Sequence, residues 1–160
     1  MTTQGIRNFL TQIGFFLAHG FGSGKIPWAP GPIGTLVAIP IYLLIYPFSN
    51  LLYAAIVGIM FVFGIWLCQI TEQALGAHDH PSIVWDEIVG FLITMFMVPI
   101  GWEWMIAGFL LFRVFDIWKP FPIRQIERRV RGGLGNMLDD ALAAVYAWFV
   151  LQGAAYIYLS

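Results

Sequence analysis

The feature that most constrains this chain is the polar stretch at 78–87, which is followed at once by a long apolar run. The stretch holds five ionisable side chains, although only 11% of all residues are charged. Burying a carboxylate is costly unless it is paired or bound to a metal, and Asp86 and Glu87 stand directly before the apolar run. No lysine or arginine lies between Lys25 and Arg113, so the compensating cation must come from a distant part of the chain or from solution. A divalent metal ion is the simplest prediction.

The composition indicates a protein that is embedded in a lipid bilayer. Hydrophobic residues make up 59% of the 160 positions and aromatic residues 17%, which is more apolar surface than one small core can cover. The length predicts a single domain, 1–160, and the net charge of -1 gives no sign of a nucleic-acid partner. Cys68 stands alone, which excludes disulfide bonds and cysteine-ligated metal sites.

Five apolar segments predict an all-α, polytopic bundle of membrane helices. They are Ile33 to Phe48, Leu51 to Ile70, Ile83 or Ile88 to Ile100, Trp104 to Trp118, and Ala141 to the C-terminus. The second and the fifth hold 20 residues each, which is about 30 Å of helix and enough to cross the hydrocarbon core of a bilayer. The first is short and contains two prolines, and the third and fourth are marginal unless their polar ends count toward the span.

Two segments precede this bundle, which is predicted over 33–160. Apolar side chains at helical spacing predict an amphipathic helix within 1–20, lying in the membrane interface or, equally on this pattern, packed on the core of the protein. Residues 20–35 are so rich in Gly and Pro that we expect a loop. Its successive Gly amides and Lys25 can bind a phosphate, and a plain connecting loop is the alternative.

Counting the crossings predicts that every polar cluster lies on one side of the membrane. If each apolar segment crosses once, the loops 20–32, 71–82 and 119–136 share one face, and the turns 48–50 and 99–103 lie on the other. Nearly all the positive charge lies on the first face, and the positive-inside rule assigns that face to the cytoplasm.

Asp139 and Asp140 form a second pair of adjacent carboxylates. They are predicted at the start of the last helix, where acidic residues often do no more than compensate the helix dipole. In the other interpretation they are the counterpart of Asp86 and Glu87, which gives four carboxylates around one or two Mg²⁺ ions. Water and phosphate would supply the remaining ligands.

The basic residues at 119–131 suit a phosphate group. Lys119 and Arg124 could hold a phosphate monoester, or the run could be a flank that only orients the protein in the membrane. Arg113 is a further phosphate-binding candidate. Asp116 follows it by three residues on the same helix face, and is either a fifth metal ligand or the ion-pair partner of Arg113.

Two histidines are candidates for proton transfer. His78 and His80 could transfer protons near neutral pH, although histidines in a loop are often incidental. The sequence has no reactive-cysteine loop and no Asp-x-Asp-x-Thr motif. The chemistry that remains is metal-assisted attack on phosphorus by water or, as the weaker alternative, by a carboxylate such as Asp86 or Glu87.

Four motifs together resemble the phosphatidylglycerophosphatase A family. They are Gly-Phe-Gly-Ser-Gly at 20–24, His-Asp-His-x-Ser-Ile-Val-Trp-Asp-Glu at 78–87, Phe-Arg-x-Phe-Asp-x-Trp-Lys-Pro-x-Pro-Ile-Arg at 112–124, and Gly-Gly-x-Gly-x-Met-x-Asp-Asp at 132–140. The resemblance implies a Mg²⁺-dependent phosphatase of the bacterial inner membrane, which removes the terminal phosphate of phosphatidylglycerophosphate. It implies that the acidic metal-site positions are Asp86, Glu87, Asp139 and Asp140, and that Lys119 and Arg124 belong to the basic motif.

Two other classes of protein remain as alternatives. The first is an ion transporter whose intramembrane acids are ion ligands, and the second is a non-catalytic subunit of a lipid-synthesis assembly. The charges gather at one predicted interface and no duplicated half is visible, which argues against a transporter. The oligomeric state stays open.

Overall fold

The computed structural model describes residues 12–26, 28–77 and 80–159, and within these ranges all regular structure is helical. The helices are α1 (12–18), α2 (Pro30–Ile45), α3 (Asn50–Leu75), α4 (Trp85–Thr94), α5 (Trp102–Trp118), α6 (Ile123–Arg129) and α7 (Gly133–Leu159), and one 3-10 turn spans Ser23–Lys25. The all-α prediction is confirmed. Of the helix predicted within 1–20, the part before residue 12 lies outside the described residues.

α7 is the central helix of the bundle. It packs against α3, α4, α5 and α6, and α4 packs in turn against α2 and α3. Three alanines of α7, at 143, 144 and 147, are completely buried, and their small side chains let the neighbouring helices approach closely. Large apolar side chains such as Phe91 of α4 and Phe112 of α5 fill the core around them.

α3 and α7 are the two described helices that are long and apolar enough to cross a bilayer. α3 has 26 residues, which corresponds to about 39 Å. Many large apolar side chains of these two helices are exposed, among them Leu51, Ile59, Phe149, Tyr156 and Ile157. Exposed apolar surface of this extent is typical of a membrane or partner contact. The number of crossings and the side on which the polar loops lie stay predictions.

The loop predicted over 20–35 ends earlier than expected, because α2 begins at Pro30. Proline fits the first turn of a helix, where its missing N–H group would have no intrahelical partner. The helical bundle therefore starts at residue 30 and not at 33.

α7 begins at Gly133, well before the predicted start at Ala141. Asp139 and Asp140 consequently lie in its second turn, and the first turn holds no acidic residue. The interpretation of this pair as N-terminal compensation of the helix dipole is wrong, because the dipole effect is confined to the first turn. The predicted loop 119–136 also contains the short helix α6.

α4 ends at Thr94, although its apolar run continues to Ile100. Beyond the helix the chain turns through Met97, which has a left-handed φ of 57°. Pro99 follows, and a proline there cannot continue the helix.

Side chains of α3 and α7 satisfy the carbonyl groups at the end of α4. Tyr53 donates a hydrogen bond of 2.7 Å to the Leu92 carbonyl oxygen. Trp148 and Gln152 both donate to the Phe96 carbonyl oxygen, at 2.7 and 3.0 Å. A helix that ends among apolar neighbours needs such partners, because no water is there to replace them.

Gly133 marks a close approach of α7 to α3. A Cβ atom at this position would lie 2.0 Å from the Ile65 carbonyl oxygen and 2.5 Å from the Gln69 backbone nitrogen. Both are backbone atoms, so α3 itself would have to move. Gly153, on the same helix, has no neighbouring atom within 4 Å of an added Cβ.

We expect Gly133→Ala to lower the thermal unfolding midpoint in detergent, because overpacking between two helices typically costs roughly 1–3 kcal/mol in free energy of unfolding. Gly153→Ala is the matched control. It should leave the midpoint unchanged or raise it, since Ala is favoured over Gly in a helix by up to about 1 kcal/mol. Equal midpoints for the two variants would contradict the close approach at Gly133.

Candidate active site

The predicted site residues meet at one end of α2, α4, α5 and α7, around a cavity of about 390 Å³ that we call the acidic cavity. Eight of the eleven residues predicted for the site line it: His80, Asp86, Glu87, Arg113, Asp116, Lys119, Asp139 and Asp140. His78 lies outside the described residues, and so does the side chain of Lys25. Arg124 is described and does not line this cavity.

The packing of α4 against α7 brings the two acidic pairs together. Asp86 and Glu87 occupy the first turn of α4, where the positive end of the helix dipole favours negative charge. Asp139 and Asp140 come from the second turn of α7. Gly90 lets α4 lie close to both neighbours, since an added Cβ there would be 3.4 Å from the Asp140 carbonyl oxygen of α7 and 2.6 Å from the Phe112 ring of α5.

Arg113 supplies the first cation of the acidic cavity. Its Nη1 lies 3.0 Å from Glu87 Oε1 and 2.8 Å from Asp116 Oδ2. The predicted pairing of Arg113 with Asp116 is therefore confirmed. The guanidinium also ties α5 to α4, so part of the compensating charge comes from a distant part of the chain.

Lys119 supplies the second cation. It is the C-cap of α5, and its Nζ lies 2.7 Å from Asp139 Oδ2 and 2.7 Å from Glu127 Oε1. Burial lowers the pKa of the Lys119 ammonium, but the carboxylates of Asp139 and Glu127 outweigh burial and raise the pKa above its ordinary value. Sequence reasoning missed Glu127, because it lies on α6, in a segment that was predicted to be a loop.

Asp140 is buried in the cavity at an energetic cost. The residue is 5% exposed, and its Oδ2 is a buried atom with no hydrogen-bond partner among the described residues. A buried polar atom of this kind costs about 1–3 kcal/mol, and more when the group is charged. Such a cost in a native structure is typical of a functional group.

A hydrogen-bonded chain of three polar side chains leads into the cavity through His80. Ser82 Oγ lies 2.7 Å from His80 Nδ1 and 3.1 Å from His19 Nε2. The Ser82 backbone N–H donates to His80 Nδ1 at 3.2 Å. At the far end, His19 Nδ1 lies 2.5 Å from the Phe15 carbonyl oxygen, and His19 itself is buried.

The partners of this chain define the tautomers of its histidines. A backbone amide can only donate, so His80 Nδ1 is an acceptor and Nε2 carries the proton. A carbonyl can only accept, so His19 Nδ1 carries a proton. Sequence reasoning missed both Ser82 and His19, since nothing in their spacing shows that residues 19 and 82 meet.

The charges of the acidic cavity do not balance. Among the described residues, five carboxylates and two cations line it, a formal excess of three negative charges. Within residues 12–26, 28–77 and 80–159, no three His, Cys, Asp or Glu side chains are arranged to hold a metal ion by themselves. A metal ion in this cavity would therefore need ligands from water or substrate.

Other cavities lie outside this site, and two of them are larger than the acidic cavity. Arg124 lines a neighbouring cavity of about 460 Å³, which shares Lys119 with the acidic cavity. A larger cavity of about 630 Å³ lies between α3, α4 and α7, and no Asp, Glu, His, Lys or Arg lines it. Its apolar wall offers no group for acid–base or metal chemistry.

The fold and the acidic cavity define an all-helical protein in which apolar helices surround one highly charged site. A sequence model of the phosphatidylglycerophosphatase A family matches residues 16–155, and the chain belongs to this family. It is therefore a phosphatase, which confirms the enzyme interpretation over the transporter and the non-catalytic subunit.

Three relatives are similar over most of their length. Phosphatidylglycerophosphatase A of Escherichia coli is 46% identical over 84% of this chain and 79% of its own. The protein of the same name from Haemophilus influenzae is 43% identical, covering 88% and 87%. A Bacteroides thetaiotaomicron protein with the provisional name phosphatidylinositol-3-phosphatase is 42% identical, covering 88% and 92%. No solved structure matches this chain.

Proposed function

We propose that this enzyme hydrolyses the terminal phosphate monoester of phosphatidylglycerophosphate, giving phosphatidylglycerol and inorganic phosphate. The names of two relatives that are 43–46% identical support this substrate. The observation that carries the proposal is the acidic cavity, where carboxylates and cations suited to phosphate hydrolysis gather beside apolar helices. A lipid phosphate needs both, because its headgroup is charged and its tails stay in the bilayer.

We also propose that the cavity binds Mg²⁺. A phosphate monoester is an anion, and the excess of three negative charges would repel it unless a cation were added. Carboxylate oxygens suit a hard cation, and the unpartnered Oδ2 of Asp140 is such a donor. Mg²⁺ commonly uses one or two carboxylates together with water and phosphate, so a preformed group of three is not needed. The candidate ligands are Asp86, Glu87, Asp139, Asp140 and Asp116.

A bound Mg²⁺ would supply an acidified water and a positive charge next to the phosphate oxygens. The chain itself would orient the phosphate. Lys119 has three N–H donors, of which Glu127 and Asp139 occupy two, so one is left to face the cavity. Arg113 likewise has donors beyond those that contact Glu87 and Asp116. A further contact from Lys25 stays a prediction.

We propose that His80 donates a hydrogen bond to the leaving glycerol oxygen and so stabilises the negative charge that develops there. Its Nδ1 is held by Ser82, which leaves the protonated Nε2 as the nitrogen that the substrate can meet. Ser82 and His19 would then act through His80 as positioning residues. Proton transfer by His78 or His80 stays a prediction.

The bacterial inner membrane is the proposed location, with several crossings and the acidic cavity at the cytoplasmic face. The support is the length and apolar character of α3 and α7, and the basic residues beside the cavity.

A second candidate substrate is the monoester of phosphatidylinositol 3-phosphate, which the provisional name of the third relative favours.

The test of the proposed function is phosphate release by the purified chain in nonionic detergent. We expect release from phosphatidylglycerophosphate in Mg²⁺, none after EDTA, and recovery with excess Mg²⁺. Full activity in EDTA would reject the metal, and no release from this lipid would reject the substrate. A higher kcat/KM for phosphatidylinositol 3-phosphate would favour the second candidate.

Asp140→Asn should lower the activity of the enzyme without lowering its stability. The change keeps the shape and removes a buried negative charge, so the unfolding midpoint should stay the same or rise. Phosphate release should fall on the order of 100-fold or more, because the loss of a metal ligand removes several kcal/mol of transition-state stabilisation. Near-wild-type turnover at low Mg²⁺ would remove Asp140 from the metal site.

Ser82→Ala should lower kcat about 10-fold while KM changes little, because His80 would lose its hydroxyl partner and part of its orientation. Ser23→Ala is the matched control, since the Ser23 hydroxyl donates to the backbone carbonyl of His19 and does not touch either ring. Steady-state kinetics of both variants make the test. Equal effects of the two would show that the loop, and not the chain of side chains, matters.

The membrane arrangement can be tested with single cysteines in a Cys68→Ser background. Positions 81, 125, 50 and 103 are all exposed. Residue 50 begins α3 and residue 81 follows its opposite end, so we expect an impermeant thiol reagent outside intact cells to label 50 and 103, and not 81 and 125. Labelling of 81 and 125 from opposite faces would exclude a single site built from their loops.

A further inference from the structure

The neighbouring cavity that contains Arg124 differs from the acidic cavity in its charge. It has a volume of about 460 Å³ and is lined by Trp118, Lys119, Pro120, Phe121, Arg124, Gln125 and Arg128. No carboxylate is among these residues. We call it the basic cavity. Lys119 belongs to both cavities, so the two lie side by side.

The arginines of the basic cavity are available to a ligand. Arg124 and Arg128 are four residues apart on α6, which places them on one face of the helix, and both are exposed. Across the described ranges, neither guanidinium forms an ion pair or a hydrogen bond with another residue. In contrast, Arg113 and Lys119 are both held by carboxylates.

Two like charges on one helix face repel each other, and an anion between them relieves that repulsion. Guanidinium groups bind phosphate through two parallel hydrogen bonds. Two exposed aromatic residues, Trp118 and Phe121, stand at the rim of the basic cavity. Aromatic side chains of this kind are typical of the membrane–water interface, where the glycerol backbone of a lipid lies.

We propose that the basic cavity binds the phosphodiester group of the lipid substrate, while the acidic cavity receives the phosphate monoester. This inference rests on the proposed function. Phosphatidylglycerophosphate carries these two phosphates on either side of a single glycerol, and the two cavities adjoin at Lys119. The diester undergoes no reaction, so it needs cations and no metal ion.

The basic cavity would therefore determine substrate specificity. A lipid whose monoester is attached directly to diacylglycerol has no diester and would leave Arg124 and Arg128 without a ligand. An inositol lipid with a 3-phosphate carries both groups, so the same cavity would accept it. The arginines would thus select for a diester next to a monoester, whatever polyol links them.

The two products provide the test, because each carries one of the two phosphates. The assay uses nonionic detergent, and phosphatidylglycerophosphate is the only phospholipid present apart from any added inhibitor. Under these conditions Arg124→Ala and Arg128→Ala should each lower kcat/KM about 10-fold, mainly by raising KM. Competitive inhibition by phosphatidylglycerol should weaken by a similar factor, and inhibition by inorganic phosphate should not change. Arg129→Ala is the control, since this exposed arginine of α6 does not line the cavity.

The outcomes distinguish between the possible ligands of the two arginines. Equal weakening of both inhibitors would place the arginines at the monoester, and equal loss in Arg129→Ala would indicate a general charge effect. If the variants bind less well to vesicles of phosphatidylglycerol but keep their kcat/KM in micelles, the ligand is a bulk lipid headgroup, and the proposal fails. Absence of inhibition of the wild-type enzyme by phosphatidylglycerol also overturns it. An inactive wild-type enzyme would instead reject the proposed function.

Discussion

The structure depends on how five carboxylates are accommodated at the end of an apolar helical bundle. Carboxylates beside low-dielectric helices are costly, and the local sequence around Asp86 and Glu87 holds no lysine or arginine. Arg113 and Lys119 reach the two acidic pairs from α5 and from its C-cap. These ion pairs join α4, α5, α6 and α7 at one end, where the cavity forms. Among the described residues they leave a formal excess of negative charge, and this excess is the reason for proposing a cation in the cavity.

The sequence was sufficient to predict the all-helical fold and most of the charged residues that line the acidic cavity. Carboxylates in an apolar chain are rare enough that Asp86, Glu87, Asp139 and Asp140 could be selected by type alone, and the cavity brings them together. The spacing of Arg113 and Asp116 predicted their ion pair, because residues three apart share a helix face. Such features depend on composition and local periodicity, which are present in the sequence itself.

Helix boundaries and distant partners could not be predicted in the same way. The starts of α2 at Pro30 and of α7 at Gly133 differ from the expectation that Gly and Pro mark loops, although proline itself fits the first turn of a helix. At Gly133 the glycine is required by the proximity of α3, which no local pattern indicates. Glu127, Ser82 and His19 were missed for a related reason. Ser82 contacts His19, which is 63 residues away in the sequence. Glu127 contacts Lys119 across a turn that leads into the unpredicted helix α6.

The two acidic pairs are not equivalent, because only one of them lies where the fold itself stabilises a negative charge. Asp86 and Glu87 lie in the first turn of α4, where the helix dipole stabilises a negative charge. Asp139 and Asp140 lie one turn further along α7, beyond that effect. Asp139 has Lys119, but one oxygen of Asp140 is buried without a hydrogen bond. A neutral side chain of the same shape would destabilise the folded protein less at this position, so stability alone does not explain an aspartate there. The proposed metal site would explain it, since a carboxylate oxygen that the described residues leave without a hydrogen bond is a suitable donor to a metal ion.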